Sequence, residues 1–461
     1  MRATPWRVAT AAWVAWLAVH GAAAEPAIED PAAHTRVTRL DNGLVVLTLV
    51  DPTTPVLSFQ MWVEVGSKDE ARYTGLAHLF EHMMFNGSKH IGPEEHARLI
   101  NAWGGEVNAY TTNDFTVYHD DVPSEALPLV IDLEHERVAN LDISEETLTR
   151  ERQVVLEERR LRTEDSPMGQ AYEALFGLVW QALPYRWPVI GWRSDIEKAT
   201  VGVCRRFFSQ YYVPDNMIIA IVGSFDEEAA LAHLRRTFGK LEPAKDIPRN
   251  PTEEPEQRGE RRATVYFDVR APILAAGWHA PPSGHPDGEA LDVLSTILSE
   301  GRSSRLYRSL VHDSQQALSA EGGYWELNEA GVFLAFASVR PDASIDRVEK
   351  LFFDQIERVK KDLVSEEDLD KAKRQLEVSL VDGLDADHAL AARIARDYAT
   401  FGRIRPLEER LARIRAVTAE DVRRVARTYL VEDQRSVVQL LPLPPAPKPP
   451  AAPKGQGAGG K

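Results

Sequence analysis

Residues 75–85 read GLAHLFEHMMF, in which His78, Glu81 and His82 spell H-x-x-E-H. On a helix, side chains four apart lie one turn above each other, so His78 and His82 can turn both imidazoles toward a single metal ion. Glu81, next to His82 and three from His78, puts a carboxylate beside water at such an ion without replacing it, which is the general-base position. The plainer alternative is a helix with two half-buried histidines and a solvated glutamate, so the motif alone does not decide the matter.

A catalytic zinc site also requires a third protein ligand and an open position for water. The segment EETLTRERQVVLEERRLR (145–162) offers Glu151, Glu157 and Glu158. Glu151 and Glu158 are two helical turns apart and share a face, whereas Glu157 is rotated about 100° from Glu158. Glu158 as ligand, with Glu151 below it as a supporting carboxylate, is the economical assignment. Without the upstream motif, an ordinary charged surface helix would explain the same residues.

Around these two segments the chain alternates between strand and helix patterns. Residues 38–66 read as two or three strands broken at Asp41-Asn42-Gly43 and at Pro52 and Pro55. Helical periodicity begins near Gly75 and recurs at about 93–103, 125–140, 145–163, 167–181 and 197–212, before a strand at 217–224 and a helix at about 226–238. Residues 241–262, rich in Pro, Glu and Arg, read as an interdomain linker. Beyond it the order recurs: strands at about 263–279, helices at 286–311, strands at 317–340, five further helices and a strand at 435–441. The fold expected is therefore α+β, two homologous domains of a duplicated α/β unit, each a mixed sheet flanked by helices. A length of 461 residues suits two cores rather than one.

The ends are compositionally distinct. Residues 1–24 set Arg2 and Arg7 before an apolar run that closes on Ala22-Ala23-Ala24, the layout of a cleaved secretory signal, so periplasmic residence is expected, with no stable membrane insertion after cleavage. Residues 443–461, rich in Pro, Ala, Gly and Lys, cannot build a core and are expected to be disordered. The single cysteine, Cys204, rules out an intrachain disulfide and sits on an amphipathic helix, where a small core residue is the expected role. The net charge of −16 argues against a general nucleic-acid or anionic-membrane binder and suits basic or neutral peptides.

The H-x-x-E-H motif, Glu158 and the preceding Glu151 together resemble the pitrilysin or insulinase family of inverted zinc peptidases, which includes the mitochondrial processing peptidases. The likeness extends through WGGEVNAYTTNDFTVYHDDVP (103–123), PYRWPVIGWRSDIEKAT (184–200), FFSQYYVPDNMIIAIVGSF (207–225) and HPDGEALDVLSTILSEGRSSRLY (285–307), and covers about 35–442. It implies a clamshell with a zinc-binding peptidase domain over 25–240 and a peptidase-like domain over 263–442. It further implies one Zn2+ per chain on His78, His82 and Glu158, with Glu81 as the base, Glu151 in support, and Asn108 and Ala109 pairing with an extended peptide substrate.

One departure bears on activity. Active single-chain members carry an Arg, and seven residues later a Tyr, after the Ser303-Ser304-Arg305-Leu306 segment; in this register those positions are Val311 and Leu318. Neither side chain can donate a hydrogen bond to a substrate carbonyl. The resemblance therefore implies a zinc-dependent endopeptidase acting as the zinc-bearing subunit of a heterodimer, a homologous chain supplying Arg and Tyr, although a homodimer is possible. Arg305, Arg308, His312 and Tyr324 lie nearby in sequence as candidate substitute donors, although surface or packing roles are the ones expected of them. The alternatives are a non-catalytic scaffold or peptide-binding subunit of a complex.

Overall fold

The computed structural model describes residues 29–444; the signal reading over 1–24 and the tail reading beyond Leu443-Pro444 lie outside the described residues. Among these residues no helix is long and apolar enough to cross a membrane. The first sheet comprises β1 (Arg36–Arg39), β2 (Val45–Val50), β3 (Val56–Val63), β4 (Glu106–Thr111), β5 (Thr116–Pro123) and β6 (Met217–Gly223), in the order β1-β2-β6-β3-β5-β4. The second comprises β7 (Arg261–Phe267), β8 (Ile273–Ala280), β9 (Ala317–Trp325), β10 (Gly331–Val339) and β11 (Arg435–Pro442), in the order β7-β11-β8-β10-β9.

The two orders superpose. Each begins with one parallel pair, β2–β6 or β7–β11, and continues through antiparallel pairs, β6-β3-β5-β4 or β11-β8-β10-β9. The chain is thus a duplicated α+β unit, with β1 as an additional edge strand of the first copy. β6 is apolar and buried along its whole length because both faces of the sheet are covered there. β4 lies at the edge and alternates: Val107 and Ala109 pack toward the core, whereas Glu106 and Asn108 are exposed.

What covers the sheets could not be read from local patterns. One face of the first sheet packs on helices of its own half, with Phe59, Met61, Tyr118 and Ile219 against Phe80 and Phe207. Its other face is covered from the second half: Leu390, Ala391 and Ile394 of the helix Asp387–Phe401 bury against Leu47, Trp62, Val117 and Ile218. The exchange is reciprocal. Leu175, Phe176 and Val179 of the helix Pro167–Val179 cover Ala275, Leu334 and Val438 on the second sheet.

The segment between the sheets holds no long helix or strand but is strapped down. Glu254 accepts the backbone N–H groups of Gln181, Ala182 and Leu183 at 2.8, 2.8 and 3.0 Å. Arg249 donates to the Glu64 carbonyl and to Asn216. The helices read over 286–311 are Gly288–Ser299, which ends before Gly301, whose φ of +75° interrupts the helical path, and a wider π-type stretch over Tyr307–Asp313. Cys204 is a buried free thiol in the first core.

Because each exchanged helix fills a core that belongs to the opposite half, a cavity made in either is felt across the molecule. Ile394→Ala and Leu175→Ala, both at fully buried positions, should each cost about 2–5 kcal/mol. Chemical denaturation followed by circular dichroism and tryptophan fluorescence should give one coincident transition at a lower midpoint for each variant; separate transitions for the two probes would show that the halves unfold independently.

Candidate metal centre

The H-x-x-E-H segment forms the helix Leu76–Met83. It starts at Gly75, whose φ is +85°, and a Cβ there would lie 2.5 Å from the carbonyl oxygen of Ile190. Only glycine accommodates both the left-handed turn and this close approach. The buried Glu70 carboxylate accepts the Gly75 and Ala77 N–H groups at 2.7 and 2.9 Å, satisfying donors that a helix start leaves unpaired. The segment 184–200 completes the seat: Asp195 accepts from the Thr74 backbone and hydroxyl, and the Thr74 hydroxyl accepts from the Trp192 N–H. Phe80 faces the core, stacked on Phe207 and Phe208, which turns His78, Glu81 and His82 the other way.

Facing them is the helix Glu145–Arg159, capped by Ser144. Leu148 and Val155 anchor it in the core, and Arg159 ties its end to the Gly191 carbonyl at 2.7 Å. Glu151 and Glu158 turn toward the motif helix. Glu157 points to solvent and pairs with Arg160.

Glu158 Oε2 lies 3.1 Å from His82 Nε2 and 3.7 Å from His78 Nε2. Donors on a tetrahedral zinc ion with bonds near 2.0–2.1 Å are about 3.4 Å apart. The observed separations bracket that value, and two imidazoles with one carboxylate are a zinc-type donor set, so these residues fit the ion. On the other edge of the His82 ring, Glu151 Oε2 is 3.7 Å from Nδ1, an arrangement that favours a proton on Nδ1 and leaves Nε2 for a metal. Arg162 pairs with the second oxygen of Glu158 at 3.0 Å. Glu81 stays outside the donor cluster and accepts a hydrogen bond of 2.6 Å from the hydroxyl of Thr111 on β4.

The electrostatics separate the two histidines. Burial, reinforced by the neighbouring His82, pushes His78 down to about 4. Burial also opposes charge on His82, but Glu151 and Glu158 outweigh it and lift this imidazole to about 9. Interaction with His82 holds the Glu158 carboxyl below its ordinary range. Burial raises Glu81 above the ordinary range, against the Thr111 hydrogen bond.

Asn108 and Ala109 lie on β4, the strand that carries Thr111, at the outer edge of the sheet; the Asn108 side chain accepts the Ala109 N–H at 2.9 Å. Thr111 escaped the sequence reading, yet it is two residues from Ala109 and so shares its face of the strand, a period-two signal that could have exposed it. In the second half, Val311 packs half-buried against the core and Leu318 is exposed on β9. Of the proposed substitute donors, Tyr324 donates to the Pro281 carbonyl, Arg305 pairs with Asp368 and His312 contacts Asp313. Arg308 is exposed beside a cavity of about 590 Å³.

A metal taken up here must displace the proton on His82, whereas His78 is already neutral above about 4. Zinc uptake should release one proton at pH 7, and affinity should fall about tenfold for each pH unit below 9. Calorimetry in buffers of different ionisation enthalpy measures both; uptake without proton release would contradict the assignment.

The chain's similarities agree with this geometry. Residues 45–181 match the model described as Insulinase (Peptidase family M16), and residues 198–376 match the model described as Peptidase M16 inactive domain. The zinc protease PqqE of Helicobacter pylori is 32% identical over 89% of this chain and 93% of its own length. A protein named as a probable mitochondrial-processing peptidase subunit beta of Arabidopsis thaliana is 25% identical over 90% of this chain and 80% of its own. Among solved structures, a protease from Helicobacter pylori has a TM-score of 0.85 at 31% identity, over 88% of this chain and 99% of that one. A peptidase M16 inactive domain from Pseudomonas fluorescens shares the fold, with a TM-score of 0.80 at 18% identity over 89% of this chain and 98% of that one. With a duplicated α+β fold, both family models matched in order and a named zinc protease aligned nearly end to end, the chain belongs to the insulinase family of peptidases, peptidase family M16.

Proposed function

We propose that this chain is a zinc-dependent endopeptidase that cleaves peptides or unfolded segments as the catalytic subunit of a two-chain enzyme. His78, His82 and Glu158 are its ligands, Glu81 is its base and Glu151 orients His82. The observation that carries this reading is Glu81 outside the donor cluster yet hydrogen-bonded to Thr111 on the edge strand, between the ligands and the strand to which a peptide would add. A zinc ion on the three donors would supply Lewis-acid charge and bring the pKa of water at the site toward neutrality. Glu81 takes the proton of the attacking water and delivers it to the departing amine, with Thr111 fixing the carboxylate between the two transfers. The peptide adds as a further strand along β4, and its backbone takes over the Ala109 N–H now held by Asn108.

The partner is inferred from Val311 and Leu318, which offer a developing oxyanion no donor. A missing donor of this kind commonly lowers the rate by about two to three orders of magnitude. The relative named as a processing-peptidase subunit supports a division of labour between chains. The composition of residues 1–24, with Arg2 and Arg7 ahead of an apolar run closing on Ala22-Ala23-Ala24, supports export and a periplasmic site of action.

The test is cleavage of a quenched fluorescent peptide library by the mature chain, alone and with a homologous chain carrying the Arg and Tyr. Activity should appear with the partner and drop by about two to four orders of magnitude in Glu81→Gln, which retains zinc. Thr111→Val should lower kcat with little change in KM and displace the acidic limb of its pH profile. Full activity of the chain alone would remove the partner; absence of cleavage by the zinc-loaded pair would favour the scaffold.

A further inference from the structure

A second histidine–carboxylate group lies where the two halves meet. His119 and Asp121, two apart on β5, face the same side of the sheet, and His388 approaches them from the start of the exchanged helix Asp387–Phe401. Asp121 Oδ2 is 2.9 Å from His388 Nδ1 and 3.9 Å from His119 Nδ1. One donor atom from each of the three residues lies within 4.8 Å of the others. His119 Nδ1 is buried with no hydrogen-bond partner, although it is directed at the group. Gln60 donates to the His388 carbonyl at 2.9 Å, which fixes the backbone that carries the third side chain.

The surroundings favour a cation. Glu106, opposite Asp121 in the β4–β5 register, is on the same face, and its charge acts on both imidazoles. Asp387 and Asp51 add negative charge alongside. The His119 side chain is 12% exposed and that of His388 43%, so one ligand is largely covered while the other can swing inward from solvent. By contrast, the remaining group, His96, Asp120 and Glu134, already holds the guanidinium of Arg137 against Glu134.

We propose that His119, Asp121 and His388 form a second metal site, for a divalent transition ion of the Zn2+, Co2+ or Ni2+ class, that staples the exchanged helix to the first sheet. Two imidazoles and a carboxylate without thiolate suit that class. Closing the donors to the roughly 3.4 Å of a tetrahedral ion requires rotation of the exposed His388 ring. An ion here would bind β5, the neighbour of the β4 edge, to a helix contributed by the other half.

The test uses the full mature chain, stripped of metal and titrated with Co2+ in a His82→Gln background, which disables the first site. One equivalent should bind, with d–d absorption bands and a rise in Tm, and none should bind after the further substitution His388→Asn or His119→Gln. His119→Gln removes a nitrogen that makes no hydrogen bond, so a folded protein is expected even if His388→Asn is unstable. In the otherwise unsubstituted chain, two equivalents should fall to one with either substitution. No uptake in His82→Gln, or uptake unaffected by His119→Gln, would overturn the proposal.

Discussion

Two imidazoles and two carboxylates are gathered at one contact between two helices, His78 and His82 on one and Glu151 and Glu158 on the other. Removing such groups from water costs several kcal/mol each unless they are paired. Much of the first half serves to hold this contact. Glu70 caps the start of the motif helix, Gly75 admits the Ile190 carbonyl, and Arg159 locks the facing helix to the same loop through Gly191. The glutamates raise His82 while burial depresses His78, so the cluster rests with a proton in the place a cation would take.

The exchanged helices govern the molecule on a larger scale. Each sheet lends one face to helices of its own half and the other to a single helix from the opposite half, so neither core is complete alone. The arrangement also explains how His388, far from β5 in sequence, comes within reach of His119 and Asp121.

Features with a short physical range were legible in the sequence. The four-residue spacing of His78 and His82 and the two-turn spacing of Glu151 and Glu158 are helical facts, and the structure gathers these side chains into one cluster. Much of the strand and helix order was also legible, because burial on both faces leaves a clear apolar pattern in segments such as 217–223, but β4 and β5 do not show it, and a strand within 103–123 was implied only by the family resemblance. What escaped depends on tertiary geometry. Thr111 matters only because β4 passes the motif helix, Glu70 looks like an ordinary loop acid until its carboxylate meets a helix start, and the helix at 167–179 carries no mark of the sheet it covers.

The exchange has a consequence for how the chain is made. Strands β1 to β6 are complete once residue 223 has been synthesised, but the helix that covers their outer face does not begin until Asp387. During vectorial synthesis Leu47, Trp62, Val117 and Ile218 therefore face solvent, or a holding chaperone, while more than a third of the chain is still to come. The nascent first half is an open sandwich awaiting its last layer, and its danger of aggregation is set by the delay before the C-terminal helices arrive.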